Sequence, residues 1–192
     1  GTLNNTSGLV QSGGHLRIDT HGRHLINAST NASVDTGLVS GGEMRLHTDV
    51  LDNDAGFIGA AGDLTLRSQT VANTNGALLL GQAGLDLQST SLDNRAGQVQ
   101  VAGSMNLELG NGTLDNRGSL LRAGDTLSIA ATTIDNRGTL GSDQGIEAAN
   151  LHLATATLRN AAGALRADDG LSVASRGSID NAGGRITSLG EV

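Results

Sequence analysis

Apolar and polar positions along this chain recur in a three-part unit. The first part is a hydrophobic residue, any residue and an asparagine: Leu3/Asn5, Leu25/Asn27, Leu51/Asn53, Val71/Asn73, Leu92/Asn94, Leu114/Asn116, Ile134/Asn136, Leu158/Asn160 and Ile179/Asn181. Successive asparagines lie 22, 26, 20, 21, 22, 20, 24 and 21 residues apart. In every unit but the second, Gly follows two or three residues later. Two residues past that Gly comes the second part, an apolar position at Val10, Ile58, Leu78, Val99, Leu120, Leu140 or Leu165. The third part is an alternating apolar pair: Leu16/Ile18, Met44/Leu46, Leu64/Leu66, Leu85/Leu87, Leu107/Leu109, Leu127/Ile129, Leu151/Leu153 and Leu171/Val173. A period of two marks a short strand with one face turned inward.

Three short apolar segments per unit, separated by corners of Gly, Asn, Asp and Ser, leave no stretch for an amphipathic helix. One such unit buries too little to offset the entropy of ordering it. Stacked units solve the problem, because each strand pairs with its equivalents above and below. The pattern therefore predicts an all-β fold, a parallel β-helix of about nine coils with a period of about 22 residues. The handedness rule for parallel crossovers makes it right-handed, and nine coils make a rod about 40 Å long. Residues 1–192 read as one β-helical segment, internal to a longer shaft, with inserted loops near 28–36 and 141–150. A leucine-rich repeat shares the period and the Leu-x-Asn element. It also needs a Leu three residues before the alternating pair, where Gly124 stands before Leu127.

Composition fits a narrow, regular interior. Phe57 is the sole aromatic residue, and Pro, Cys, Trp and Tyr are absent, so aliphatic side chains must do the packing. Gly reaches 29 residues, about twice the usual share, consistent with many tight bends. All twelve basic residues are Arg, and the formal net charge is -7. That charge opposes nucleic acid or an anionic membrane surface as partner, and no apolar run is long enough for a membrane-spanning helix.

Candidate chemistry is sparse. The nine asparagines of the repeat read as a structural column: at a tight corner Asn tolerates the left-handed conformation, and stacked amides can hydrogen-bond from coil to coil. Asp93-Asn94-Arg95, Asp115-Asn116-Arg117 and Asp135-Asn136-Arg137 predict adjacent rows of acid and guanidinium. His15, His21 and His24 near Asp19 match no metal-ligand spacing. The acid pairs Asp52/Asp54 and Asp168/Asp169 could serve glycoside hydrolysis, but they lie at different heights of the repeat, without aromatic platforms for a sugar. Neither an enzyme activity nor a cofactor is expected.

Units such as Leu92-Asp-Asn-Arg-Ala-Gly97, Leu114-Asp-Asn-Arg-Gly118 and Ile134-Asp-Asn-Arg-Gly138, each followed by an alternating strand, resemble the filamentous haemagglutinin repeat over essentially the whole chain. The resemblance implies a secreted protein of the bacterial cell surface, exported unfolded through an outer-membrane secretion partner. It also implies a structural role, as the shaft of an adhesin or contact-dependent inhibition exoprotein that presents binding or toxin regions away from the cell. The alternative is a direct contact with a receptor or glycan, host or bacterial, on one β-helix face. Neighbouring coils of the parent chain would be further partners.

Overall fold

The structure, a computed structural model, describes residues 1–31 and 35–190. The middle of the first expected loop, Ala32 to Val34, lies outside the described residues. The rest forms an all-β parallel solenoid of about nine turns with three faces per turn, and no helix occurs among the described residues. That excludes the helical return a leucine-rich repeat needs.

The first face, which ends at the asparagine corner, stacks Leu3–Asn4, His24–Ile26, Val50–Asp52, Thr70–Ala72, Ser91–Asp93 and Thr113–Asp115, then the ends of the longer strands Thr126–Asp135, Gly145–Arg159 and Ala164–Asp180. Its inward column runs Leu3, Leu25, Leu51, Val71, Leu92, Leu114, Ile134, Leu158, Ile179 without a register slip. The second face begins with Leu9–Ser12 and the third with Leu16–Asp19. Each coil sends about five side chains inward, as Leu92, Val99, Val101, Met105 and Leu107 do, and these make one continuous core. Burying both ends of every interior coil leaves only the outermost rungs half-exposed: Leu3, Val10, Leu16, Ile18, Val173 and Ile186 flank the core rather than fill it.

The structure corrects the inward positions of several coils. Leu79, Leu121 and Ile146, not Leu78, Leu120 and Leu140, continue the column through Ile58 and Val99. The asparagine, not the glycine, sets the phase. In ordinary corners the inward residue follows Asn by five positions, whereas the glycine sits either two or three after it. The Asn73 corner carries one extra residue, with Asn75 and Gly76 both at positive φ. Leu140 is 41% exposed. In the fifth coil Met105/Leu107 is the inward pair, aligned with Leu85/Leu87. Leu109 there occupies the following corner position, which carries a hydroxyl in Thr48, Ser68, Ser89 and Thr155.

A feature the sequence reading missed is a column of small residues closing the second face: Ser12, Ser40, Ala60, Gly81, Val101, Ala123, Ala148 and Ala167. Seven of these eight residues are Gly, Ala or Ser, with Val101 the exception, so the vertex is packed mostly by small side chains. The second excursion is also shorter than expected. Strand Gly145–Arg159 is already back in the sheet, with Gly145 beside Leu120 and Ile146 beside Leu121, so only the residues up to Gln144 leave the coil. The alternation Ile146, Ala148 places those residues in the core, which a loop could not do.

Candidate functional site

The asparagine corner is where polar chemistry concentrates. Each asparagine follows a hydrophobic residue of the first face, buried in every coil but the two outermost, and its amide lies in the shaft wall. Asn27, Asn53, Asn73, Asn94, Asn116, Asn136 and Asn160 are fully buried, and Asn5 nearly so. Every link of the column is a side-chain hydrogen bond. Nδ2 donates to Oδ1 of the next coil from Asn5 to Asn27, then to Asn53, Asn73, Asn94, Asn116, Asn136, Asn160 and Asn181, at 2.7–2.8 Å throughout. The second Nδ2 proton reaches a backbone carbonyl, as Asn94 does at Leu120 (3.1 Å) and Asn136 at Ala164 (2.9 Å). No buried side-chain polar atom among the described residues lacks a partner.

The corner backbone explains the residues beside the asparagine. The left-handed conformation lies two positions beyond the asparagine rather than on it, a correction to the expectation from sequence. It is adopted by Ser7, Ser29, Ala55, Asn75, Ala96, Gly118, Gly138, Ala162 and Gly183. Only three of these are glycine. The repeated glycine one residue later, Gly56, Gly97 or Gly163, answers to crowding. A Cβ there would come within 2.3, 1.9 or 2.1 Å of the asparagine carbonyl one coil below. Alanine in the left-handed region costs about 1–2 kcal/mol, so Ala162→Gly is expected to raise stability by about 1 kcal/mol despite the added chain entropy. Thermal melts of the parent and of Ala162→Gly check this, and a lower melting temperature for Ala162→Gly would contradict it.

Two corners carry insertions, and both use the same device. In ordinary corners the N–H three residues past the asparagine donates to the asparagine carbonyl, and the carbonyl of that residue accepts from the next coil, as in Gly97 N to Asn94 O (2.9 Å) and Leu120 N to Gly97 O (3.3 Å). In the insertion corners that position is threonine. Thr30 Oγ donates to Asn27 O (3.0 Å) and accepts from Phe57 N (2.9 Å); Thr139 Oγ donates to Asn136 O (2.9 Å) and accepts from Ala164 N (3.0 Å). One hydroxyl thus replaces both backbone groups, and the chain is free to leave the wall. The recurrence of Asn-x-x-Thr in the two insertion corners was the readable signal.

A family model for the haemagglutinin repeat matches residues 1–48, 25–108, 96–150 and 138–190, so its copies tile the same coils that the asparagine ladder links. The chain belongs to the haemagglutinin-repeat family. It is also 30% identical over 159 residues to a protein named deoxyribonuclease CdiA from Dickeya dadantii (strain 3937). That match covers 77% of this chain and 5% of the relative, so the chain spans about a twentieth of the relative's length. No solved structure matches the chain.

On this haemagglutinin-repeat scaffold the Asp-Asn-Arg motifs form an outer stripe beside the ladder. Each arginine grips the aspartate two residues before it with two hydrogen bonds: Arg95 to Asp93, Arg117 to Asp115 and Arg137 to Asp135, with Nε at 2.8–2.9 Å and Nη2 at 2.6 Å. Arg95 also faces Asp115 one coil up at 3.7 Å, and Arg159 faces Asp135 at 3.9 Å. The Arg95 hydrogen bonds hold the Asp93 carboxyl below the usual range. Burial opposes ionisation of Asp135, yet the bonds from Arg137 outweigh it and keep that carboxyl low as well. The other candidates of the repeat are dispersed. Asp54 is engaged by Thr74 (2.6 Å) and Asn75 (2.5 Å), and Asp168 and Asp169 lie exposed at the end of the second face. His15, His21 and His24 are exposed; His21 approaches Asp19 at 3.4 Å and His47, one coil on, at 3.6 Å. Among the described residues no three such side chains are placed to hold a metal.

Proposed function

We propose that this chain is a length of the shaft of a two-partner-secretion exoprotein on the bacterial cell surface, exported with an outer-membrane partner, whose role is to hold binding or toxin regions at a distance from the cell. The observation that carries the reading is the unbroken asparagine ladder. Polar groups that an active site would spend on substrate are spent here on joining each coil to the next. The lateral Asp-Arg stripe is likewise satisfied within itself. Such a stack adds about 4.8 Å per coil and has no preferred end point, which suits a spacer. The relative's name refers to a nuclease, but the acids and histidines of this segment are scattered or already hydrogen-bonded, so we assign it no catalytic step.

The test is excision of Asn94–Asp135 from the full-length parent, which joins Asp93 to Asn136 and restores the Asp-Asn-Arg corner. Surface display and the parent's cell binding or toxin delivery are measured together. Both should stay close to the unmodified level. Normal display with delivery abolished would reject the spacer role.

A further inference from the structure

Two Asn-Gly pairs occur in the chain, Asn75-Gly76 and Asn111-Gly112. In such a pair the following amide nitrogen, unshielded by a Cβ, can reach the asparagine side-chain carbon. None of the nine ladder asparagines is followed by Gly, and their amides are committed to the column. The two pairs sit in different surroundings. Asn75 Nδ2 donates to Asp54 Oδ1 (2.5 Å), and the Gly76 N–H donates to the Ala96 carbonyl of the next coil (2.6 Å). Asn111 stands at the corner between the third and first faces of the fifth coil. Leu92 follows Leu87 by five residues, whereas Leu114 follows Leu107, the partners of those two one coil on, by seven. The surplus residues, Gly110 and Asn111, are exposed and, among the described residues, give no backbone hydrogen bond to a neighbouring coil. The Asn111 side-chain amide likewise makes no hydrogen bond among them.

We propose that Asn111 is a site of spontaneous deamidation, a chemically labile joint in the shaft wall. The Gly112 nitrogen attacks Cγ of Asn111. A C–N bond forms, the Cγ–Nδ2 bond breaks, and the Gly112 amide proton leaves with the Nδ2 group as ammonia. One water then opens the five-membered imide. Attack at Cγ leaves aspartate; attack at the main-chain carbonyl leaves isoaspartate, whose backbone runs through the side chain and is one methylene longer. The Gly112 N–H is engaged by Leu109 O (2.8 Å), a bond within the corner, so freeing it breaks no link between coils. Glycine cannot be replaced there, because a Cβ on Gly112 would come within 1.6 Å of the Thr90 carbonyl of the coil below. The wall thus demands the residue that makes the preceding asparagine reactive. Aspartate only adds a charge at an exposed corner. Isoaspartate displaces Gly112 from Thr132 and Thr133 of the coil above, whose N–H groups donate to its carbonyl (2.9 and 3.2 Å), and so loosens the seam between two coils.

This site adds to the shaft reading and stands or falls apart from it. The purified chain is aged in mildly alkaline buffer, folded and in denaturant, and the peptides carrying Asn111 and Asn75 are followed by mass spectrometry. Labelling with an isoaspartyl methyltransferase detects the isomer. Each conversion adds about one mass unit. In the folded chain Asn111 should convert at least about tenfold faster than Asn75, which must first release its bonds to Asp54 and Ala96. In denaturant the two rates should converge, because both asparagines precede Gly. Asn111→Gln should abolish conversion of that peptide with an unchanged melting temperature. The proposal is overturned if Asn111 stays intact in the folded chain, if Asn75 converts as fast there, if the difference persists in denaturant, or if Asn111→Gln lowers the melting temperature.

Discussion

Asn116→Asp is expected to destabilise the chain by about 3–5 kcal/mol at neutral pH and to recover much of that loss on acidification. Asn116 is fully buried; its Oδ1 accepts from Asn94, and its Nδ2 faces Asn136 Oδ1 (2.8 Å), Gly145 O (3.2 Å) and Ser119 O (3.4 Å). An aspartate keeps the first bond and turns a second oxygen toward three acceptors. Its carboxyl is therefore pushed above the unfolded value of about 3.9. Stability belonging to the protonated form is complete below the unfolded pKa and is lost as pH rises through the raised folded pKa. The parent behaves oppositely over the same acid range. Its Asp93 and Asp135 carboxyls are lowered, so their contribution is present above the unfolded pKa and lost as pH falls through the folded one. Melting temperatures of variant and parent should converge between neutral pH and about pH 4. A constant gap would show that the amide is not a donor in the ladder. Asn181→Asp supplies the control, because Asn181 accepts from Asn160 and its own donor reaches only Gly184 O at an exposed corner. It should cost little at any pH.

Deleting Asn94–Gly124 from the isolated chain is expected to abolish folding, whereas the longer deletion of Asn94–Asp135 should leave a stable rod shortened by about 10 Å. The longer deletion brings like onto like. Asn73 meets Asn136, Leu79 meets Ile146, Gly81 meets Ala148, and Leu85 and Leu87 meet Leu151 and Leu153, each pair already belonging to one column. The shorter deletion joins Asp93 to Asp125, so a third-face strand takes the place of the asparagine corner. Leu127 and Ile129 then stand at the corner position of Ala96 and at the outward position of Gln98, so that strand's apolar face cannot turn inward. Solution scattering and thermal unfolding distinguish the two outcomes. Equal loss of structure in both variants would mean that coils are not separable units.

Much of this architecture was legible because three signals coincide. The Leu-x-Asn element fixed the first face in all nine units, and the alternating pairs fixed most of the third. The second face was read with less success, since the glycine used to count it shifts between two positions while the asparagine does not. Leu120 shows why composition could not correct the error. It is 1% exposed although Leu121 holds the core column, so an apolar residue sat at either candidate position. The Leu107/Leu109 reading failed for a similar reason, because Leu109 fills a corner position that elsewhere carries a hydroxyl. The insertion at Asn136 was drawn too long, Gly145 having no side chain to announce a strand. The relation between the two insertions was out of reach, because it joins corners five units apart and depends on the side chains of Asn31 and Gln144, which hydrogen-bond to coils between them.

All eight amide links of the ladder point the same way, with Nδ2 of the earlier coil given to Oδ1 of the later one. The column is therefore a vector. A coil already in place offers an unused N–H at its leading edge, and the next stretch of chain need only present an oxygen to be captured. Because bonds in such a row polarise one another, each capture sharpens the donor that awaits the following coil. A chain delivered amino terminus first would thus assemble like a zip with a built-in direction, its advance easier than its retreat.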